Sequence, residues 1–189
     1  QIYFTGCAGN VAMGKYNDGT PRAREELAQR LYAGMEASIA STRFEPAGQV
    51  QWRTLPLVLP LRNDSGYTVA ENRARMADPK AEAIARVRAA TRVAFAERIQ
   101  QPLDLSVLEI GKIRVLHLPG ECMIEFQQFA QQRKPDDFVA VAAYGDLGPG
   151  YVCTEKSYRE GGYEPSASGV APEGEKVLQG AIRQLLEAR

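Results

Sequence analysis

Apolar residues recur at helical spacing in two long stretches of the chain. Thr20 and Pro21 have the residue types of an N-cap and a first helical position. The apolar positions that follow them are Leu27, Leu31, Met35 and Ile39. Asp78 and Pro79 open the second stretch, whose apolar stripe is Ile84, Val87, Thr91 and Phe95 against an arginine-rich face. The pattern predicts one amphipathic helix in each stretch.

Two further helices are predicted in the second half of the chain. One follows Pro119-Gly120 and covers residues 121–132. The other opens at Pro172 and carries Glu173 and Glu175 in its first turn, where the helix dipole favours acidic side chains. Its buried side is expected to consist of Val177, Leu178, Ala181, Ile182, Leu185 and Leu186.

Strand-length runs alternate with these helices. Residues 2–5 predict a buried strand, and residues 50–61 an edge or irregular strand because Pro56 and Pro60 cannot donate to a neighbour. Residues 105–110 and 113–118 flank Gly111-Lys112, which suits a type II′ hairpin turn, and residues 138–144 predict a buried strand. Interleaved strands and helices predict an α/β or mixed α+β fold with a sheet flanked by helices. Residues 145–150 and 158–171 are expected to be loops without a helix.

Composition and charge exclude several classes of protein. The 189 residues are 44% hydrophobic and 24% charged, which suits one sizeable globular domain. Lys plus Arg and Asp plus Glu are both 23, so no basic field points to nucleic acid. The longest apolar run, residues 138–144, is too short to cross a bilayer. Three cysteines, at 7, 122 and 153, are too few for a disulfide framework and leave the redox compartment open.

The first loop resembles part of a nucleotide-binding loop. Residues 9–15 match G-x-x-x-x-G-K after a predicted strand. Tyr16 then stands where Mg²⁺ binding needs Ser or Thr, and residues 17–21 argue against a helix that starts at once. A phosphate-binding loop is therefore a minor alternative.

Glu121 is a candidate metal ligand. It follows a Pro-Gly turn at a predicted helix N-terminus, where the dipole favours the ionised carboxylate. Capping preferences alone favour a surface helix cap instead. His117 alternates with Ile113 and Val115 and is expected to face inward or to lie under a neighbour. As the single histidine it cannot form a His-rich site.

Three tyrosines lie in the loop-rich stretch after the strand at residues 138–144. Tyr151, Tyr158 and Tyr163 come where α/β sheets usually place ligand sites. The alternative is aromatic packing over the core, which we expect for Tyr158.

Four segments, in this order, resemble the neutral/alkaline non-lysosomal ceramidase family of zinc-dependent amidases, which cleave the N-acyl bond of ceramide. Residues 2–11 are similar to the family's strand and G-D-V-S-P segment, and residues 110–121 to its I-G…P-G-E. Residues 150–154 are similar to Y-[VI]-T-T, and Tyr163-Glu164 to a later Y-E. Together the segments span nearly all of the chain.

The resemblance implies roles for three residues. Glu121 and Tyr151 would bind zinc together with two histidines, and Tyr163 would donate a hydrogen bond to the oxyanion. Carboxylate and phenolate oxygens are donors that zinc accepts, and a phenol can stabilise a tetrahedral intermediate. The family's histidines lie upstream of the first loop, so this chain supplies neither. Two ligands should hold zinc poorly, and the chain alone is expected to be inactive.

The first loop departs from the family pattern. The family serine aligns with Ala12, and its aspartate and proline with Asn10 and Met13. Because alanine cannot attack a carbonyl, the expected nucleophile is a zinc-bound water or hydroxide. Lys15 and Asn17-Asp18 indicate a different or more polar substrate than ceramide.

The leading hypothesis is that residues 1–189 form a single domain, the C-terminal part of a ceramidase-like zinc hydrolase catalytic domain, acting on a small-molecule or lipid substrate. The resemblance implies an extracytoplasmic or secreted protein. The start at Gln1 without Met suggests a fragment or a processed chain, and the family's C-terminal β-sandwich is not expected in it. The alternative is a catalytically degenerate relative that binds a lipid or glycan. The leading hypothesis requires Glu121 and Tyr151 to share one face.

Overall fold

The computed structural model describes residues 2–12, 14–44, 46–145 and 149–188. Its packing divides the chain into a small unit, Val11–Gly48, and a large unit, Gln1–Asn10 with Gln49–Arg189. The assignment of residues 1–189 to one catalytic domain stays a prediction. Met13 and residues 146–148, which belong to two of the predicted loops, lie outside the described residues.

The small unit contains helix α1, Pro21–Ala40, which confirms the first helix prediction. The Thr20 hydroxyl accepts a hydrogen bond from the Ala23 N–H (3.1 Å), as an N-cap should. The stripe has helical spacing, but Leu31, Met35 and Ile39 are exposed. Helix α1 begins six residues after Lys15, so the loop lacks the immediate helix that a phosphate-binding loop needs, and that alternative is wrong.

The large unit alternates strands and helices, as predicted for an α+β fold. Its elements are β1 Val50–Leu57, α2 Val69–Ala77, α3 Ala83–Arg98, β2 Leu103–Ile110, β3 Ile113–Pro119, β4 Glu121–Cys122, α4 Ile124–Arg133, β5 Phe138–Gly145, β6 Tyr151–Val152, α5 Glu155–Glu160, α6 Tyr163–Ala167 and α7 Gly174–Glu187. Among the described residues, no helix is long and apolar enough to cross a membrane.

The main sheet has the strand order β1-β2-β3-β5. Strands β1, β2 and β3 pair antiparallel, and β3 pairs with β5 in parallel. Gly111 has φ 57° in the β2–β3 turn, as the predicted hairpin requires. Pro56 lies in β1 at the sheet edge, also as predicted.

One strand prediction is right in position but not in burial, and another is wrong. Strand β5 forms the other edge of the main sheet and buries only one face, so Phe138 is exposed. Residues 2–5 form no strand. The Thr5 carbonyl accepts one hydrogen bond from the Ala143 N–H (2.8 Å), but Ile2 and Tyr3 are exposed.

The core lies between one face of the main sheet and helices α4 and α7. Phe126 of α4 and Leu178 and Ile182 of α7 are fully buried with strand residues such as Leu105 and Leu116. The predicted inner face of α7 is confirmed except for Val177, which is 37% exposed. This face anchors the sheet whose end carries the candidate site.

The remaining helices depart from the sequence prediction. Helix α3 begins at Ala83 because the Asp78 carboxylate accepts from the Lys80 N–H (2.8 Å) and holds Pro79 in a turn. It buries Ala89, Val93 and Ala96, whereas the predicted stripe members Ile84 and Val87 are exposed. Helix α4 begins at Ile124, since residues 121–122 are strand. Helix α2 was not expected, and α5 and α6 occupy part of a segment predicted to be free of helix.

Candidate active site

Glu121 and Tyr151 are direct neighbours in a short parallel strand pair. Strands β4 and β6 pair in parallel with Glu121 opposite Tyr151 and Cys122 opposite Val152. The Glu121 N–H donates to the Gly150 carbonyl (2.7 Å), and the Met123 N–H donates to the Val152 carbonyl (3.1 Å). Because register partners project to the same side of a ribbon, Glu121 and Tyr151 share one face. Cys122 and Val152 occupy the opposite face and are fully buried.

This strand pair continues the parallel pairing of the main sheet. Strand β3 leads into β4 through Gly120, and β6 follows β5 in the chain. The parallel partners are Pro119 and Gly145 at the end of β3 and β5, and then Glu121 and Tyr151 in β4 and β6. The site therefore lies beyond the carboxyl ends of two parallel strands. Open α/β sheets usually bind their ligands at such ends.

Gly120 is required by the close approach of the two loops. Its φ is +65°, and a Cβ there would lie 2.6 Å from both the Gly150 carbonyl oxygen and Pro149 Cδ. The Gly120 N–H donates to the Gly145 carbonyl (3.1 Å), and its own carbonyl accepts from the Tyr144 N–H (2.7 Å). Glycine alone fits this conformation and this spacing, so Gly120 fixes the position of Glu121 at the start of β4.

Tyr163 meets Tyr151 edge to face. Their ring centroids are 5.8 Å apart and the ring planes cross at 84°. Tyr163 is the first residue of α6, preceded by Gly161 and Gly162, which both have positive φ. Its side chain is 67% exposed, so its hydroxyl is accessible to a ligand. The three residues assigned from the resemblance thus lie together.

Burial and the neighbouring carboxylate act on Tyr151. Burial raises its pKa to about 12, and the charge of Glu121 and its hydrogen bond add to the shift. Tyr163 and Glu164 contribute smaller effects. The carboxylate thus favours the protonated phenol of Tyr151. A bound cation would act in the opposite direction and favour the phenolate.

Tyr144 is a further member of this group that sequence reasoning missed. Burial and then the charge and hydrogen bond of Glu121 raise its pKa. Tyr144 has φ 64°, a left-handed conformation that costs energy in a non-glycine residue. It ends the apolar run just before Gly145, which is the signal that could have pointed to it. Glu121 thus interacts with two tyrosines, Tyr144 and Tyr151.

Gly9 and Asn10 of the first loop form hydrogen bonds with the residues that follow Glu121. The Gly9 N–H donates to the Cys122 carbonyl (2.9 Å), and a Cβ on Gly9 would lie 2.7 Å from the Glu121 carbonyl oxygen. The Asn10 side chain accepts from the Ile124 N–H (2.9 Å) and donates to both Glu125 oxygens (3.2 and 2.9 Å). Asn10 therefore caps α4, the role that had been considered for Glu121. Ala12 belongs to the small unit.

Two other candidates take structural roles. The Tyr158 hydroxyl donates to the Val170 carbonyl (2.5 Å) and lies 3.0 Å from the Ser168 hydroxyl, and its ring packs against the core, as expected. His117 is half-buried on the sheet face opposite Leu116, where its ring covers Gly145. The three cysteines are free and buried.

The donor set suits part of a zinc site. No three His, Cys, Asp or Glu residues of the described chain group together as a metal site. Glu121 and Tyr151 nevertheless present a carboxylate and a phenol oxygen on one face, and both are groups that zinc accepts. They fit as two of the three or more protein ligands that a catalytic zinc needs.

Comparison with solved structures identifies a related fold. The neutral ceramidase from Pseudomonas aeruginosa matches over 99% of this chain with a TM-score of 0.62 and 14% identity. A ceramidase solved in complex with C2 matches over 47% of this chain and 15% of its own, at a TM-score of 0.42 and 19% identity, too low to support an argument. No protein-family model and no curated protein matches by sequence.

The chain therefore has a ceramidase-like fold. It spans 37% of the length of the P. aeruginosa enzyme, so it corresponds to part of that protein. At this level of identity the likeness concerns the backbone and does not carry over activity.

Proposed function

We propose that this chain is the C-terminal part of the catalytic domain of a zinc-dependent hydrolase of the neutral ceramidase type. In this proposal Glu121 and Tyr151 are metal ligands and Tyr163 is the oxyanion donor. The reaction is hydrolysis of an N-acyl amide bond in a small-molecule or lipid substrate, which need not be ceramide.

One observation carries the proposal. Glu121 and Tyr151 are partners in the β4–β6 pair, and the ring of Tyr163 lies 5.8 Å from that of Tyr151. Residues 30 and 42 positions apart in the sequence thus meet at the carboxyl ends of parallel strands. The fold likeness to a neutral ceramidase supports the same interpretation from the backbone.

Each residue has a distinct chemical task in this scheme. Glu121 and Tyr151 hold the metal, and the remaining ligands are histidines expected outside this chain. Zinc, when bound, would act as a Lewis acid and would lower the pKa of water enough to make a nucleophile available at neutral pH. Tyr163, which is exposed, donates a hydrogen bond from its hydroxyl to the carbonyl oxygen as negative charge develops there. Ala12 offers no nucleophile, so the attacking group is water.

Replacement of Tyr163 by phenylalanine tests the oxyanion role. In the full-length protein, Tyr163→Phe should lower kcat on an N-acyl amide on the order of a hundredfold while zinc content is retained, because one oxyanion donor is lost. Tyr32→Phe is the matched control, since Tyr32 is exposed on α1, and it should keep kcat. A Tyr163→Phe protein as active as the wild type would overturn the assigned role.

Ala12 favours a second candidate function. A relative that had lost its nucleophile would bind a lipid or glycan without turning it over. Full-length protein that holds zinc but hydrolyses no member of a panel of N-acyl amides and esters would support this alternative and contradict the hydrolase.

A further inference from the structure

A pocket of about 440 Å³ lies beside Tyr163, on the side of α3. Its lining consists of Arg88, Thr91, Arg92, Tyr163, Ser166 and Ala167. This volume is at the small end of ligand pockets and suits a headgroup or a small molecule. The pocket therefore adjoins the proposed oxyanion donor and can hold a second part of the same substrate.

The charge of the pocket is positive. Arg88 and Arg92 are one helical turn apart on α3, where two like charges destabilise a helix. None of the described residues that line the pocket is acidic, and Arg88 forms no ion pair or hydrogen bond with any described residue. Glu164 lies instead near Tyr151 and Cys153, and its charge raises the pKa of both. An anion in the pocket would relieve the repulsion between the two arginines.

Arg92 is held in place by the protein. Its guanidinium donates to the Gly66 carbonyl (3.3 Å) and the Ser166 carbonyl (3.4 Å), and it stacks 4.4 Å from the Tyr67 ring centroid. These partners are neutral. The Asp64 carboxylate also interacts with the charge of Arg92, but its hydrogen bonds are to Arg62. The positive charge is thus fixed at the wall of the pocket before any ligand arrives.

The packing of α3 keeps this wall next to Tyr163. The Phe95 ring lies against Gly169, where a Cβ would come within 2.7 Å of it. Together with the Arg92 bond to Ser166, this contact joins α3 to the segment that begins with α6. Arg88, one turn before Arg92, is then the arginine left available to a ligand.

We propose that this pocket binds an oxyanion on the substrate, so that the preferred substrates are N-acyl amides whose amine portion ends in a carboxylate or phosphate. The proposal rests on the hydrolase function above and names its substrate class. Guanidinium groups match carboxylate and phosphate oxygens with paired hydrogen bonds, and Arg88 is the residue that determines specificity. The neutral headgroup of a ceramide would leave the Arg88 guanidinium without an anionic partner.

The test compares substrates that differ in one charge. N-dodecanoylglycine and its neutral amide, N-dodecanoylglycinamide, have nearly the same shape, and N-dodecanoyl phosphoethanolamine separates phosphate from carboxylate recognition. Hydrolysis and equilibrium binding of each are measured with the full-length protein, with Arg88→Ala, and with Arg98→Ala. Arg98 is exposed on the same helix outside the pocket, so it is the matched control.

The proposal predicts that at least one anionic substrate is preferred over the glycinamide in kcat/KM. Arg88→Ala should weaken that preference roughly tenfold to a hundredfold, as for loss of a hydrogen bond between charged groups, and Arg98→Ala should not. Arg88→Lys should restore part of the preference. Arg88 is exposed and forms no hydrogen bond or ion pair with the described residues, so its replacement should leave the fold intact.

The outcomes separate this proposal from the hydrolase function. Equal hydrolysis of the anionic and neutral amides, unchanged by Arg88→Ala, would overturn the anion pocket and leave the hydrolase standing. Binding of an anionic amide that depends on Arg88, without hydrolysis of any amide, would support the pocket and overturn the hydrolase. Neither binding nor hydrolysis of any of the three would overturn both.

Discussion

Gly120 is the residue on which the geometry of the candidate site depends most. Its positive φ and the 2.6 Å spacing to the Gly150 carbonyl leave no room for a side chain. The two hydrogen bonds of its peptide groups fix the end of β5 at the same point. Glu121 faces Tyr151 because this one residue can turn the chain here.

Gly120→Ala should therefore destabilise the protein. Left-handed backbone in alanine costs about 1–2 kcal/mol, and the clash with Gly150 and Pro149 adds to that cost. Chemical denaturation would measure the free energy of unfolding. Gly180→Ala is the control, because Gly180 lies in α7 with open space around it and alanine there should stabilise by up to about 1 kcal/mol. Equal effects of the two substitutions would contradict this account of Gly120.

Sequence reasoning at this scale found Glu121, Tyr151 and Tyr163 through short motifs, and the structure brings all three together. It missed Tyr144, because the left-handed conformation of that residue arises from a hydrogen bond to Gly120, 24 positions away. The residues around Tyr144 in the sequence do not indicate that Gly120 is its partner.

Helices with strong local signals were predicted well. Helix α7 has its acidic first turn and its apolar face in the sequence, and α1 has its N-cap and proline. Helix α2 carries a capping box between Thr68 and Glu71, a signal that was present in the sequence and not used. The start of α4 could not be predicted from local sequence, because residues 121–122 form a strand by pairing with residues 151–152, which are distant in the sequence.

The packing of α7 gives a prediction at the scale of elements. Leu178→Ala should destabilise the protein by about 2–5 kcal/mol, because the side chain is fully buried between α7 and the core and its removal leaves a cavity. Val177→Ala, on the same helix and 37% exposed, should cost less than about 1 kcal/mol. Urea denaturation of the two variants measures the difference. A Val177→Ala cost equal to that of Leu178→Ala would show that α7 packs through another face.

At the scale of the whole molecule, topology explains why a site exists here. The parallel β3–β5 pairing extends past Gly120 into β4–β6 and carries two polar side chains beyond the ends of the strands. Sequence pattern predicted the fold class and the hairpin, but not that β5 pairs with β3, since that pairing joins residues about 25 positions apart. The fold likeness to a neutral ceramidase agrees with this topology over 99% of the chain.

The central claim is that Glu121 and Tyr151 bind zinc together. The most direct test is the zinc content and affinity of the full-length protein, compared with Glu121→Gln and Tyr151→Phe. The controls are Glu125→Gln, which removes the charge of a carboxylate that accepts hydrogen bonds from Asn10 at the start of α4, and Tyr32→Phe on the exposed side of α1.

We expect stoichiometric zinc in the wild type and in both controls. Each ligand variant should lose affinity at least on the order of tenfold to a hundredfold, the range seen when even an outer partner of a metal ligand is removed. Zinc absent from the wild-type protein, or bound by Glu121→Gln and Tyr151→Phe as tightly as by the wild type, would contradict the claim and reduce the ceramidase likeness to one of fold.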